Sequence, residues 1–243
     1  MVAVILAAGA GRRLAPMGWS KPKCLLPCGT STLLDNALSA LAERQVRDVV
    51  VVVGYQRGLV EAALRKHRLR SESVVNDEFA TTNTLYSLYL ARGHLGEGFL
   101  LLNADVLFDP AILDLLPISP ARLDVDSCSI LAVDNCSRDA EAVKVLTDAE
   151  GRITRIGKDV PASPCAGEFI GLARVDRSAC AALIQSLSSL VDAPGGRSLY
   201  FESAIDAVLA DHSFVAAPVG DLRAVEIDTP EDYERAKKLF GAE

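Results

Sequence analysis

The chain has 243 residues, half of them hydrophobic, and a formal net charge of −7. That length and apolar fraction suffice for one large α/β domain or two small ones, and they exclude an intrinsically disordered chain. The acidic balance argues against a nucleic-acid binder, and no apolar run reaches the length needed to span a bilayer.

Val2 to Leu6 is a run of small and β-branched apolar residues, which reads as a strand buried on both faces. It is too short for a signal peptide and leads directly into Ala7-Ala8-Gly9-Ala10-Gly11-Arg12-Arg13. Where side chains are missing, backbone N–H groups approach a ligand closely, so a strand, a bare loop and fixed cations read as a polyphosphate site. Lys21-Pro22-Lys23 adds further positive charge. Apolar residues at helical spacing predict a helix over Ser31 to Glu43, and Val49 to Gly54 is a second buried strand. A helix over Gly58 to His67 follows, then a strand over Glu72 to Asn76 and a helix over Thr82 to Arg92. Phe99 to Leu102 is a fourth strand and ends at Asn103-Ala104-Asp105. Strands alternating with helices predict a parallel sheet covered on both sides.

The texture changes after Pro120. Strands are expected over Ser127 to Val133 and Ala142 to Leu146, and Asp148-Ala149-Glu150-Gly151 is a hairpin turn into Arg152 to Ile156. Phe169 to Val175 continues the β character, with a helix over Asp176 to Leu190 and a loop over Asp192 to Ser198. Tyr200 to Leu209 reads as a helix, Ser213 to Pro218 and Ala224 to Ile227 as strands, and Pro230 opens a final helix. With no repeat and no composition break, one domain over 1–243 is expected: a nucleotide-binding half, 1–119, and an acceptor-binding half, 120–243.

Two familiar phosphate motifs fail. Leu14 stands where the third glycine of a dinucleotide fingerprint belongs, and no acidic residue ends the second strand. A Walker-type Gly-Lys-Ser/Thr is also missing at the required spacing. The six cysteines (24, 28, 128, 136, 165 and 180) lack a second Cys or His pair at metal spacing and read as small buried hydrophobes in a reducing cytoplasm. His67, His94 and His212 have no nucleophile nearby in the sequence.

Leu6 to Arg13, followed by Pro22-Lys23-Cys24-Leu25, resembles the nucleotidyltransferase signature Leu-Ala-Ala-Gly-x-Gly-x-Arg…Pro-Lys-x-Leu. The segments Asn76 to Arg92, Gly167 to Gly171, Tyr200-Phe201-Glu202 and Glu226 to Asp232 are similar to those of one branch, the phosphocholine and 2-aminoethylphosphonate cytidylyltransferases. The resemblance implies a Rossmann-like, GT-A-type α/β fold with a mixed, mostly parallel central sheet flanked by helices. It also implies one or two Mg²⁺ ions, an NTP (CTP favoured) and a small phosphate or phosphonate acceptor. Neither nucleic acid nor membrane is implied as a partner, and a homodimer is left open. In such chemistry an acceptor oxygen, already ionised near neutral pH, attacks the α-phosphorus, so no general base is required.

Residue by residue, the resemblance gives Arg13 to the triphosphate and Lys23 to the phosphates at the reacting centre. Leu6, Ala7, Ala8, Gly9, Ala10, Gly11, Arg12 and Ala104 would complete the nucleotide cradle, although the family's usual glycine stands here as Ala104. Asp105, just outside the carboxyl end of a strand, and Asp228 are the metal candidates, as Mg²⁺ with a triphosphate keeps few protein ligands. Asp228-Thr-Pro-Glu also reads as a helix start. Asn83 and Ser87 lie one helical turn apart, for base or ribose recognition or for an ordinary capped polar face. Glu168 and Glu202 belong to the acceptor half, with Lys144 and Lys158 as cations for an acceptor phosphate. A quaternary ammonium would want an aromatic cage. Aromatics make up only 5% of the chain, with Tyr200 and Phe201 beside Glu202 the better pair among Trp19, Tyr86, Tyr89 and Phe169. Other readings are a UTP- or GTP-dependent sugar or cyclitol 1-phosphate enzyme, a catalytically silent nucleotide sensor, and, last, an NAD-dependent oxidoreductase.

Overall fold

A computed structural model describes residues 1–117, 128–135, 142–161 and 165–241. The boundary expected at residues 119 and 120, Ser127 at the head of a predicted strand, and Cys136 lie outside the described residues.

The apolar run at the start forms β1 (Val2–Ala7). A short hairpin of β2 (Pro27–Cys28) and β3 (Ser31–Thr32) precedes α1 (Leu33–Glu43). A reciprocal cap opens this helix: the Asp35 amide donates to Thr32 Oγ1, and the Thr32 amide donates to the Asp35 carboxylate. Next come β4 (Asp48–Val53), α2 (Arg57–Leu64), β5 (Arg70–Val75) and α3 (Thr84–Leu90). α3 begins later than its periodicity predicts, because Asn83 caps it and the Thr82 hydroxyl donates to the Glu78 carbonyl at 2.9 Å. β6 (Phe99–Asn103) is followed by β7 (Val106–Phe108), a three-residue strand absent from the sequence reading.

The second half contributes β8 (Ser129–Asp134), β9 (Lys144–Thr147), β10 (Ile153–Gly157) and β11 (Gly167–Val175). Then follow α4 (Arg177–Asp192), α5 (Glu202–Asp206), β12 (Phe214–Pro218), β13 (Ala224–Glu226) and α6 (Pro230–Phe240). α5 is shorter than the helix predicted from Tyr200 to Leu209. The strap before it serves α3 instead: the Arg197 and Leu199 carbonyls accept from the amides of Asn83 and Leu85 at 2.8 and 3.2 Å. That engagement holds Leu199 extended and leaves Tyr200 outside the helix.

Among the described residues nine strands form one sheet, in which β10-β9-β11-β6-β1-β4-β5 is the main path, β8 branches from β11, and β12 pairs with β8. β5, β4, β1 and β6 are mutually parallel, β11 runs antiparallel to β6, and β8 and β9 run antiparallel to β11. The sheet is therefore mixed, with most strands sharing one direction. Alternate strand residues face opposite layers. Ile5, Val51 and Leu102 pack with α1 and α2, while Leu6, Val52 and Leu101 pack with α3, α4 and α5. From β1 the chain moves out to β4 and β5, then returns to β6 on the other side of β1. This reversal opens a crevice outside the carboxyl ends of β1 and β6, where ligands of open α/β sheets bind. No helix among the described residues is long and apolar enough to cross a membrane.

Candidate active site

The crevice is floored by the turn leaving β1. Leu6, Ala7 and Ala8 are buried, and the Ala104 amide donates to the Leu6 carbonyl at 3.2 Å, tying the ends of β1 and β6 together. Gly9, Arg12 and Arg13 are exposed on the rim, with Ala10 and Gly11 half-buried. Gly11 adopts φ +60°, the left-handed conformation, and a Cβ there would stand 3.1 Å from Lys23 Cβ. A bare backbone at this point is what lets Lys23 pass beneath the loop. Gly54 serves the other side, where a Cβ would meet the Ala8 carbonyl at 2.8 Å and Phe79 at 2.7 Å.

Asp105 follows β6, and Asp228 follows β13. A two-stranded antiparallel ribbon of β7 and β13 brings them together, pairing Glu226 with Val106 and Val225 with Leu107. Behind the ribbon, Leu14, Leu26, Leu107, Val225, Ile227 and Ala236 form a separate apolar cluster that locks it to the first loop and to α6. Lys23 Nζ reaches Asp105 Oδ2 at 2.7 Å and Asp228 Oδ1 at 2.5 Å, while Arg13 holds the other Asp228 oxygen at 2.7 Å. Lys23 is 8% exposed. Burial opposes its charge, but the Asp105 and Asp228 carboxylates prevail and hold its pKa above the ordinary lysine value. Burial likewise works against the Asp228 charge, and Lys23 and Arg13 overcome it, keeping that carboxyl below the usual range.

A third carboxylate completes the group. Asp105, Glu226 and Asp228 each offer an oxygen within 4.8 Å of the others. Glu226 keeps solvent access on one side, but the protein crowded around its head and the charges of Asp105 and Asp228 raise its pKa to about 8. Asp105 Oδ1 is buried and has no hydrogen-bond partner among the described residues. Three convergent hard oxygen donors, one of them orphaned, fit a divalent cation of the Mg²⁺ kind. The sequence reading overlooked Glu226. The alternation of a strand was an available signal, since it puts Glu226 and Asp228 on one side.

The remaining predicted residues divide. Asn83 caps α3, accepting from the Thr84 amide at 2.8 Å, whereas Ser87 turns inward, is buried, and accepts from the Asn76 amide group at 3.1 Å. Their one-turn spacing therefore does not put both on a common open face. Lys144 is buried, and its ammonium donates to the Ala142 and Lys158 carbonyls, each at 3.2 Å. Glu168, on β11, is close enough for its charge to bear on Glu226. Glu202 is buried, which pushes its carboxyl up to about 7 against the opposing pull of Lys158, and its Oε2 has no partner among the described residues. The expected aromatic pair is split. Phe201 is fully buried edge-on against Phe169, while Tyr200 is exposed with the Lys158 ammonium 4.5 Å above its ring. Tyr86 and Tyr89 stack on each other at 6.1 Å between Arg197 and Arg92. Cys24, next to Lys23, is buried with its thiol pushed up to about 12, as suits a packing residue rather than a nucleophile.

The chain has counterparts among known proteins. The profile of the MobA-like NTP transferase domain matches residues 3–149. The CMP-5'-(3-aminopropyl)phosphonate synthase of Streptomyces rubellomurinus is 31% identical over 250 residues, covering 98% of this chain and 38% of that protein. A bifunctional IPC transferase and DIPP synthase of Aquifex aeolicus is 30% identical, covering 98% of this chain and 51% of that protein. The chain thus spans about half or less of the length of these two curated relatives. In fold it is similar to the CTP:phosphocholine cytidylyltransferase of Streptococcus pneumoniae, with a TM-score of 0.81 at 20% identity over 98% of this chain and 99% of that one.

Proposed function

The chain belongs to the MobA-like NTP transferase family, and from that premise we propose that it is a nucleotidylyltransferase. It transfers a nucleotidyl group, most readily CMP from CTP, to a small phosphate or phosphonate acceptor and releases pyrophosphate. The observation that carries this reading is Lys23 bridging Asp105 and Asp228 beneath a bare backbone loop at the sheet's switch point. Names borne by relatives, a CMP-aminopropylphosphonate synthase and a choline-phosphate cytidylyltransferase, support cytidine and an acceptor of this class.

In this reaction an acceptor oxygen attacks the α-phosphorus in line, a new P–O bond forms, and the bond to the pyrophosphate oxygen breaks. The nucleophile is already an anion, so the protein's task is positioning and charge stabilisation. The loop from Ala8 to Gly11 offers backbone N–H groups to the phosphates, and Arg12 and Arg13 take up charge at the rim. Lys23, fixed by two carboxylates, holds a full positive charge beside the reacting phosphate. Asp105 and Asp228, with Glu226 beside them, would hold Mg²⁺. When bound, the ion neutralises phosphate charge and polarises the phosphoryl group. Residues 1–119 bind the nucleotide, with Asn83 and Ser87 ordering the segment around the base and ribose. Residues 120–243 bind the acceptor through Lys144, Lys158, Glu168, Tyr200 and Glu202.

The test is Mg²⁺-dependent pyrophosphate release with four NTPs crossed against phosphocholine, phosphoethanolamine, 2-aminoethylphosphonate, 2-hydroxyethylphosphonate and several sugar 1-phosphates. Release with CTP and one of the first four acceptors is the expected result. Release with UTP or GTP and a sugar phosphate alone would keep the chemistry and overturn the substrate assignment. Nucleotide binding without release across the grid would favour a sensing protein.

A further inference from the structure

Tyr200 is 41% exposed, and one face of its ring is covered by the chain's own Lys158 ammonium, 4.5 Å from the ring centroid. Lys158 follows directly on β10, and its carbonyl accepts from the buried Lys144 ammonium at 3.2 Å, which fixes the backbone from which the side chain reaches. Two residues beyond Tyr200 lies Glu202, 4% exposed, with its Oε2 unpartnered among the described residues. The charges of both Lys158 and Asp105 bear on Glu202, so this carboxyl is within electrostatic reach of the cation on Tyr200 and of the Asp105 cluster. An aromatic face beside a carboxylate is the arrangement that binds a quaternary ammonium. Here the cation is already supplied by the protein.

We infer that Lys158 fills the seat of a cationic head group, so that the pocket selects an acceptor with a neutral, hydrogen-bond-donating head over one with a quaternary ammonium. This rests on the acceptor binding in this half, as proposed above. A hydroxyalkyl phosphate or phosphonate leaves Lys158 on Tyr200 and donates its O–H to the orphaned Glu202 oxygen. A quaternary ammonium fails twice: it has no N–H or O–H to donate, and it must displace a like charge from the ring. A primary amine falls between them, since it can donate but still meets Lys158.

The experiment compares kcat/KM for 2-hydroxyethylphosphonate and phosphocholine, with CTP, in the wild type, Lys158→Met and Lys158→Arg. The wild type should prefer the hydroxyl acceptor. Lys158→Met should shift the ratio toward phosphocholine by about threefold to thirtyfold, the range of a displaced cation–π contact, and Lys158→Arg should keep the wild-type ratio. Titration calorimetry with choline chloride, which needs no turnover, should show tighter binding to Lys158→Met than to the wild type. An unchanged ratio, or choline binding that is equal, weaker or undetectable in Lys158→Met, overturns the inference. If no acceptor supports pyrophosphate release, the proposed function fails, and the choline titration still decides the role of Lys158.

Discussion

The amide of Ile227 donates to the carbonyl of Asp105 at 3.0 Å, one step beyond the last residue pair of the β7–β13 ribbon. That bond makes Asp105 and Asp228 neighbours, although they come from distant segments of the chain. Nothing in either local sequence requires the other. Lys23 then bridges the two carboxylates, and the metal candidate site exists only while the ribbon keeps its register.

The ribbon's far end offers a test that leaves the site itself untouched. Asp109, just past β7, accepts from the Arg223 amide at 2.8 Å and from its guanidinium at 3.0 and 2.8 Å. Asp109→Ala should loosen the register and lower kcat by about tenfold to a hundredfold through misplacement of Asp228. Steady-state kinetics with circular dichroism check this; unchanged kcat in a folded variant would mean that the apolar cluster alone holds the ribbon.

Asp105→Asn and Asp228→Asn should each lower kcat by about a hundredfold to a thousandfold, the scale of a lost electrostatic stabiliser, while the far-ultraviolet spectrum stays that of the wild type. Near-normal Mg²⁺-dependent turnover in Asp105→Asn would remove the metal assignment.

Lys23→Met takes away the buried cation between two carboxylates. Without metal, the variant should melt at a lower temperature than the wild type, because Asp105 and Asp228 then face each other with only the exposed Arg13 on Asp228 to offset their charge. Added Mg²⁺ should raise its melting temperature more than that of the wild type, where Lys23 competes for the same oxygens. kcat should fall by a larger factor than KM rises if the lysine acts in the transition state. Differential scanning fluorimetry across a Mg²⁺ series and steady-state kinetics make both measurements.

Gly11→Ala forces a side chain into the left-handed region and to within 3.1 Å of Lys23 Cβ. The expected cost is about 1–2 kcal/mol, or a melting temperature lower by roughly 2–8 °C for a chain of this size. kcat should fall too, as Lys23 is pushed from its carboxylates. A variant with wild-type melting and turnover would show that the loop relaxes freely.

Glu202 carries a pH signature. Its carboxyl is raised to about 7 by burial, so in the folded protein it stays protonated where an unfolded glutamate, near 4.5, has ionised. Stability is therefore lost as pH rises from the unfolded value through the folded one, and the full deficit is present above about pH 7. Glu202→Gln should leave the melting temperature unchanged near pH 4 and raise it at pH 8, with a ceiling of about 3 kcal/mol. Equal shifts at both pH values would mean that Glu202 is not held protonated by burial.

Much of this was legible before any coordinates. The apolar runs of β1 and β4 specify interior strands, the helical spacing of Leu33, Leu34, Ala37, Leu38 and Leu41 announces α1, and the glycine loop with Pro22-Lys23 reads as a phosphate cradle. Asp105 could be placed at the carboxyl end of a strand because Phe99 to Leu102 reads as one. β13 was expected as a strand, but its partner β7 is only three residues long and too short to show a period, so the ribbon that brings Glu226 to Asp105 escaped notice. Side-chain direction was also hidden: Ser87 faces Asn76 and Phe201 faces the core, although each stands in a segment that reads as site-forming.

What the sequence alone determined is local: where the backbone must be bare, where strands run buried, and which residue types carry charge. Those properties depend on a residue and its near neighbours, through steric limits on φ and the periodicity of burial. Only the tertiary structure decided that Lys23, Asp105, Asp228 and Glu226 share one site and that Lys158 covers Tyr200. Those are contacts between distant segments, fixed by strand register and by the packing of Leu107, Val225 and Ile227, and charge acts through space rather than along the chain.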